Sequence, residues 1–132
     1  MSGQDNGETE YRVYAIRLQE RAIRDVTAAY VRMEELVSLK SADDWRDGLK
    51  ISIAGLATSP RRYPLAPERF HREVRQILYR RGGSKTTYRI LYNIALEETQ
   101  APEPPTVTVI HVRHAAMRPI TRAQARQIES KE

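Results

Sequence analysis

Three arginines set in apolar strand patterns are the first candidates for chemistry. Residues 73–80 read EVRQILYR, residues 86–95 read TTYRILYNIA, and residues 106–114 read TVTVIHVRH. Side chains alternate between faces along a strand. Val74, Gln76, Leu78 and Arg80 therefore share one face of the first segment, and Glu73, Arg75, Ile77 and Tyr79 the other. If the three segments pair, Arg75, Arg89 and Arg113 can converge on one sheet surface. Two readings are open at this point. The arginines form planar forks that grip phosphates, or their stems cover apolar surface on a solvated face.

Other chemistries are weaker. The three histidines are His71, His111 and His114. His111 and His114 are three apart and point to opposite faces of a strand, so they make a poor metal pair. No cysteine is present, which excludes disulfides, thiolate metal sites and thiol nucleophiles. No metal or cofactor is expected. His71 falls in an irregular loop and is expected to be exposed. His114 ends its strand beside Arg113 and near Arg118; neighbouring cations favour its neutral form, which can act as a base. The alternative is a histidine that only closes a strand end. Gly82-Gly83 lacks phosphate-loop spacing and reads as a turn. Asp43, Asp44 and Asp47 fall at a helix start, where capping and the macrodipole account for them.

Charge supports a local site. The sequence has 132 residues and a formal net charge of +5. Residues 1–60 hold 8 basic and 10 acidic side chains, residues 61–92 hold 9 and 2, and residues 93–132 hold 5 and 5. The excess thus lies in about a quarter of the chain and implies a localised anionic partner. Eighteen of the 22 basic residues are arginine, which fits phosphate forks better than a diffuse lysine coat. Within the block, Arg75, Arg80, Arg81 and Lys85, together with Arg113, form the expected nucleic-acid-binding set.

The elements that would position these residues follow from periodicity. Residues 10–18 alternate as a strand. Ile23, Val26, Tyr30, Met33 and Val37 repeat at helical spacing over residues 20–38. A second helix over 42–57, capped by Ser41, carries Trp45, Leu49, Ile53 and Leu56 on one face, and the short link between the two implies an antiparallel hairpin. Gly48 and Gly55 are expected to allow close packing. Residues 61–72, with two prolines, read as an irregular loop, Gly82-Gly83 as a hairpin turn, and residues 97–105 as an acidic, proline-rich extended loop. Thr121 caps a short helix over 121–130 whose apolar face is thin enough to order only against a partner. This order is not alternating βα. It predicts an α+β fold: an N-terminal strand, an antiparallel two-helix hairpin, then a three-stranded antiparallel sheet with the helices on one face. The expected division is a disordered leader over 1–9, one domain over 10–119, and a tail or short helix over 120–132. With no 20-residue apolar run and an acidic, polar Met1–Glu10, a cytoplasmic location and no membrane partner are expected.

From Tyr11 to Pro119 the chain resembles the RelE/ParE superfamily of toxins from type II toxin–antitoxin systems. The resemblance rests on Ala22 and Asp25 in the first helix, Trp45 and Leu49 in the second, Leu56 with Ser59-Pro60, and Val74-Arg75 with Ile77-Leu78. Most specific are Tyr88-Arg89-Ile90-Leu91-Tyr92 and the closing Val112-Arg113-His114. It implies a cognate antitoxin that masks the active surface. It also implies one of two activities. RelE-like members cut mRNA in the ribosomal A site without a metal, as endoribonucleases; ParE-like members poison DNA gyrase and have no established nuclease site. For RNA cleavage the resemblance assigns Arg89 to phosphate binding, His114 to proton transfer and Arg118 to the C-terminal arginine, with Arg75 as a supporting cation. Of these, the ribosome and mRNA are the expected target, with gyrase as the alternative and a catalytically silent, partner-binding relative as the third. Departures from the RelE pattern are the lack of a tyrosine after Arg118 and of a glycine after His114. Met117 and the two long helices look more like ParE.

Overall fold

The computed structural model describes residues 13–95 and 105–130. The expected leader over 1–9, the first residues of the N-terminal strand and most of the acidic loop over 97–105 lie outside the described residues. The elements are β1 (Ala15–Leu18), α1 (Glu20–Leu36), α2 (Leu39–Ala54), β2 (Arg75–Arg80), β3 (Thr87–Ile94), β4 (Thr106–His114) and α3 (Arg122–Ser130). Two 3₁₀ turns, Gly55–Ala57 and Pro60–Arg62, follow α2.

The fold is α+β, as expected, but the sheet differs in two ways. It has four strands in the order β1-β4-β3-β2, and it is mixed. β1 pairs in parallel with β4, from Ala15 opposite Thr106 to Leu18 opposite Val109. The other pairs are antiparallel. Parallel strands need a long crossover, and here everything from α1 to β3 intervenes. Alternation over residues 10–18 signals a strand without naming its partner. The second difference is that helices cover both faces.

The α1–α2 hairpin covers one face. Trp45 lies 5.0 Å from the Tyr88 ring and 6.5 Å from that of Tyr79, and Leu49, Leu56, Ile77, Ile90 and Tyr92 complete the core. Burying each such side chain contributes roughly 1.5–3 kcal/mol. The α2 stripe is as expected. On α1 it is rotated: Ala22 is buried with Val26, Ala29, Tyr30 and Met33 packed on the core, while Ile23 and Val37 are exposed. Small residues against the sheet bring the helix backbone close. The α2 cap is Ser38, whose side chain accepts from Ser41 N, and not Ser41. Gly48 does permit close approach: a Cβ there would lie 2.2 Å from Tyr79 Oη, which donates to Trp45 O at 2.8 Å. Gly55 has only an ordinary contact, with Arg62. The β2–β3 turn has Gly83 at φ 80°, a conformation that favours glycine.

The opposite face is covered by α3 and the loop before β2. Val74, Leu91, Ile110, Ile120, Ala125 and Ile128 form this second core, with Ala66 and Phe70 against it. Thr121 and Gln124 cap α3 reciprocally, each backbone N–H donating to the other side chain (2.9 and 3.1 Å). Glu129 accepts from the backbone N–H groups of His71 and Arg72. The terminal helix therefore orders against its own sheet. Its apolar face is thin because the second core needs little more from it than Ala125 and Ile128.

Candidate functional site

The site is built on the face under α3. In β3, Arg89 stands opposite Leu78 of β2 and Arg113 of β4. Two cations directly opposite one another repel. Glu68, from the loop before β2, compensates: Arg89 Nη1 and Nη2 donate to its two carboxylate oxygens at 2.8 and 2.6 Å. Arg89 Nε donates to Gln76 Oε1 at 2.8 Å, and Ile120 N donates to Glu68 at 3.2 Å. The side chains of Arg89 and Glu68 are 9% and 6% exposed. Burial pushes the Glu68 carboxyl up, but the Arg89 hydrogen bonds, the Ile120 N–H and the Arg89 charge together hold it below its usual value.

The three arginines do not share one face. Arg75 is opposite Tyr92 and so turns towards the helical hairpin. Its Nη1 donates to the carbonyls of Arg61 and Tyr63, and its Nε to Glu73. It thereby braces the loop that leads into β2. Tyr92 helps from the same side, its hydroxyl donating to Pro60 O. Strict alternation also fails in β4. Leu91 pairs with His111 and Tyr92 with Val109, so Ile110 is an extra residue. This bulge keeps Val107, Val109 and Val112 in the hairpin-side core, while Ile110 joins the second one.

Past Val109, β1 ends and the edge of β4 is open to α1. Asp25 takes the place of a neighbouring strand. Its Oδ2 accepts from Val112 N at 3.0 Å and from His111 Nδ1 at 2.7 Å. His111 Nε2 lies 3.5 Å from Arg113 Nη1, and Arg113 Nη2 donates to the carbonyl of Arg118 at 2.8 Å. Arg113 is 7% exposed. Burial first, then the neighbouring Arg89, lowers its pKa.

His114 is on the hairpin side. Its ring tilts against Tyr88, with centroids 5.3 Å apart, and its Nδ1 accepts from Ala116 N at 3.0 Å. Arg118 is exposed and meets the cluster through its carbonyl, not its guanidinium. Arg80 and Lys85 are exposed and Arg81 is half-buried at the β2–β3 hairpin end. None of these cations pairs with a carboxylate among the described residues. A cleft of about 760 Å³ opens between α1, β4 and α3, with Arg21, Arg32, His111, Arg113 and His114 in its walls. Among the described residues no group of three or more histidine or acidic side chains could hold a metal ion, and no helix is long and apolar enough to cross a membrane.

The topology and the closing Tyr-Arg and Arg-His strands point to one family. Residues 16–119 match the model of the ParE toxin of type II toxin–antitoxin systems, parDE. The chain belongs to this family. No curated protein matches it. A toxin of this family has a cognate antitoxin as partner, and α3 lies beyond the matched residues.

In this ParE-family toxin two carboxylates have roles that local sequence patterns did not show. Glu68 had a signal, being one of two acids among the 11 charged residues of 61–92; an isolated acid in a basic block is a candidate internal counter-ion. Asp25 entered only as part of the family pattern. Its work at the β4 edge depends on β1 ending early, which no local pattern reveals.

Proposed function

We propose that this toxin acts on DNA gyrase and does not cut RNA. One observation supports the reading above others: Arg89, which the RelE-like resemblance would make the phosphate ligand, donates three of its N–H groups to Glu68 and Gln76 and is almost wholly buried. In-line cleavage by a 2′-hydroxyl needs a cation held free for the developing charge, and a base and an acid within reach. Here Arg75 is committed to main-chain carbonyls and Glu73. His114 stands against Tyr88 with no carboxylate beside it among the described residues. The exposed Arg80, Lys85 and Arg118 suit a protein surface or a nucleic-acid backbone bound without chemistry.

The test pairs two assays on the purified toxin. Supercoiling by purified gyrase should be inhibited, and primer extension after in vitro translation should show no new mRNA ends. New ends at A-site codons with supercoiling intact would overturn the proposal. No effect in either assay, with normal growth on induction, would leave a silent, partner-binding relative.

A further inference from the structure

Arg113 carries a buried charge with no carboxylate of its own. Its contacts are the Arg118 carbonyl and, at 3.5 Å, His111 Nε2; its Nε has no partner among the described residues. The nearby acids are occupied. Glu68 holds Arg89 and Ile120 N, and Asp25 accepts from His111 and Val112 N. Glu68 and Asp25 offset part of the cost of burying the Arg113 charge without bonding to it; an anion that bonds to it directly relieves the remainder on binding.

The route to Arg113 is the cleft between α1, β4 and α3. Arg21 and Arg32 of α1 also line it. Neither has an ion-pair partner among the described residues, and Arg21 Nε is likewise buried without a hydrogen bond. Three arginines thus line a cleft whose acid, Asp25, is already bonded twice. Ala29, Met33, Val112 and Ile128 supply the apolar lining between them.

We propose that this cleft is a carboxylate-binding site. Its occupant is a glutamate or aspartate on an acidic, partly apolar segment of the cognate antitoxin, with Arg113 as the inner anchor and Arg21 and Arg32 at the mouth. A carboxylate on a short aliphatic stem can reach a buried guanidinium bidentately while the stem lies on apolar walls. A phosphodiester, flanked by two riboses, would have to bury polar sugar against Met33 and Ile128 to get as deep. The inference rests on membership of a toxin–antitoxin pair and is independent of which target the toxin poisons.

The experiment uses the full chain, isotope-labelled, and reads the Arg113 Nε–H resonance by NMR. Probes are the antitoxin encoded beside the toxin, a panel of that antitoxin with each acidic residue changed to its amide, and a uridine octamer. The antitoxin should move the resonance saturably. One acid-to-amide change should abolish the shift and weaken binding at least tenfold, and the same change should cost less than twofold against Arg113→Met. An unmoved resonance overturns the proposal, as does an octamer that moves it at comparable concentration. If Arg113→Met does not fold, the paired change Arg21→Gln/Arg32→Gln at the mouth takes its place: it should weaken the parent antitoxin at least fivefold, and undiminished affinity overturns the proposal. No gyrase or ribosome is present, so this result stands apart from the target assays.

Discussion

Replacing Arg89 with methionine separates a structural arginine from a phosphate ligand. The change removes both hydrogen bonds to Glu68, at 2.8 and 2.6 Å, and the one to Gln76. Glu68, 6% exposed at its side chain, is then left with Ile120 N at 3.2 Å. Removing one partner of a buried ion pair costs about 3–5 kcal/mol, because the surviving charge is uncompensated. At about 4 °C per kcal/mol for a domain of this size, Tm should fall by about 12–20 °C. Adding Glu68→Leu should recover most of that loss, since an apolar pair of similar volume avoids desolvating charge. Thermal and urea unfolding of the parent, both single variants and the double variant measure the coupling, and toxicity on induction is read in parallel. An Arg89→Met protein that melts within about 2 °C of the parent but is no longer toxic would refute the argument, because Arg89 would then serve the target and not the fold. pH gives a second readout. The folded Glu68 carboxyl lies below its ordinary value of 4.5. Its contribution is therefore present above that value and lost as pH falls through the folded pKa. The parent should lose stability more steeply below about pH 4.5 than Glu68→Gln does.

Asp25→Ala leaves Val112 N–H and His111 Nδ1 without their acceptor; about 2–3 kcal/mol of stability should be lost, and hydrogen exchange at the Val112 amide should accelerate. Unchanged exchange there would show that Asp25 does not seal the β4 edge. Gly48→Ala should destabilise by about 1–3 kcal/mol through overpacking against Tyr79 Oη; Tyr79→Phe in the same chain should remove part of that loss in urea unfolding, and additive losses would argue against the clash. Ending the chain after Thr121 uncovers Leu91, Ile110 and Ile120; binding of a hydrophobic dye should rise and Tm should fall, whereas an unchanged melt would mean that α3 contributes nothing to the second core.

Much of the architecture was legible in local pattern. Alternation in residues 74–80 and 88–94 assigned the faces of β2 and β3 correctly, and the Trp45, Leu49, Ile53, Leu56 repeat identified the buried stripe of α2. Thr121 marked the start of α3, and the strand–hairpin–strands order with the Tyr-Arg-Ile-Leu-Tyr strand led to the family. These signals are local, since side-chain direction follows from backbone geometry a few residues at a time. Less legible was anything that depended on which segments meet. Alternation in β2 and β3 did not reveal that Ile77 sits across from Ile90, which sends Arg75 and Arg89 to opposite faces. Nor did it reveal the Ile110 bulge, the parallel pairing of β1 with β4, or the rotation of the α1 stripe onto Ala22.

The sequence by itself determined a small basic α+β toxin with arginine-bearing strands. Only the tertiary structure decided what those arginines do. Arg89 meets Glu68 from 21 residues away, and His111 meets Asp25 from 86. A charge acts as a ligand for a partner or as an internal brace according to what lies within about 3 Å of it, and chain closure sets that neighbourhood. The same closure left Arg113 as the buried arginine without a carboxylate and set it in the wall of an open cleft.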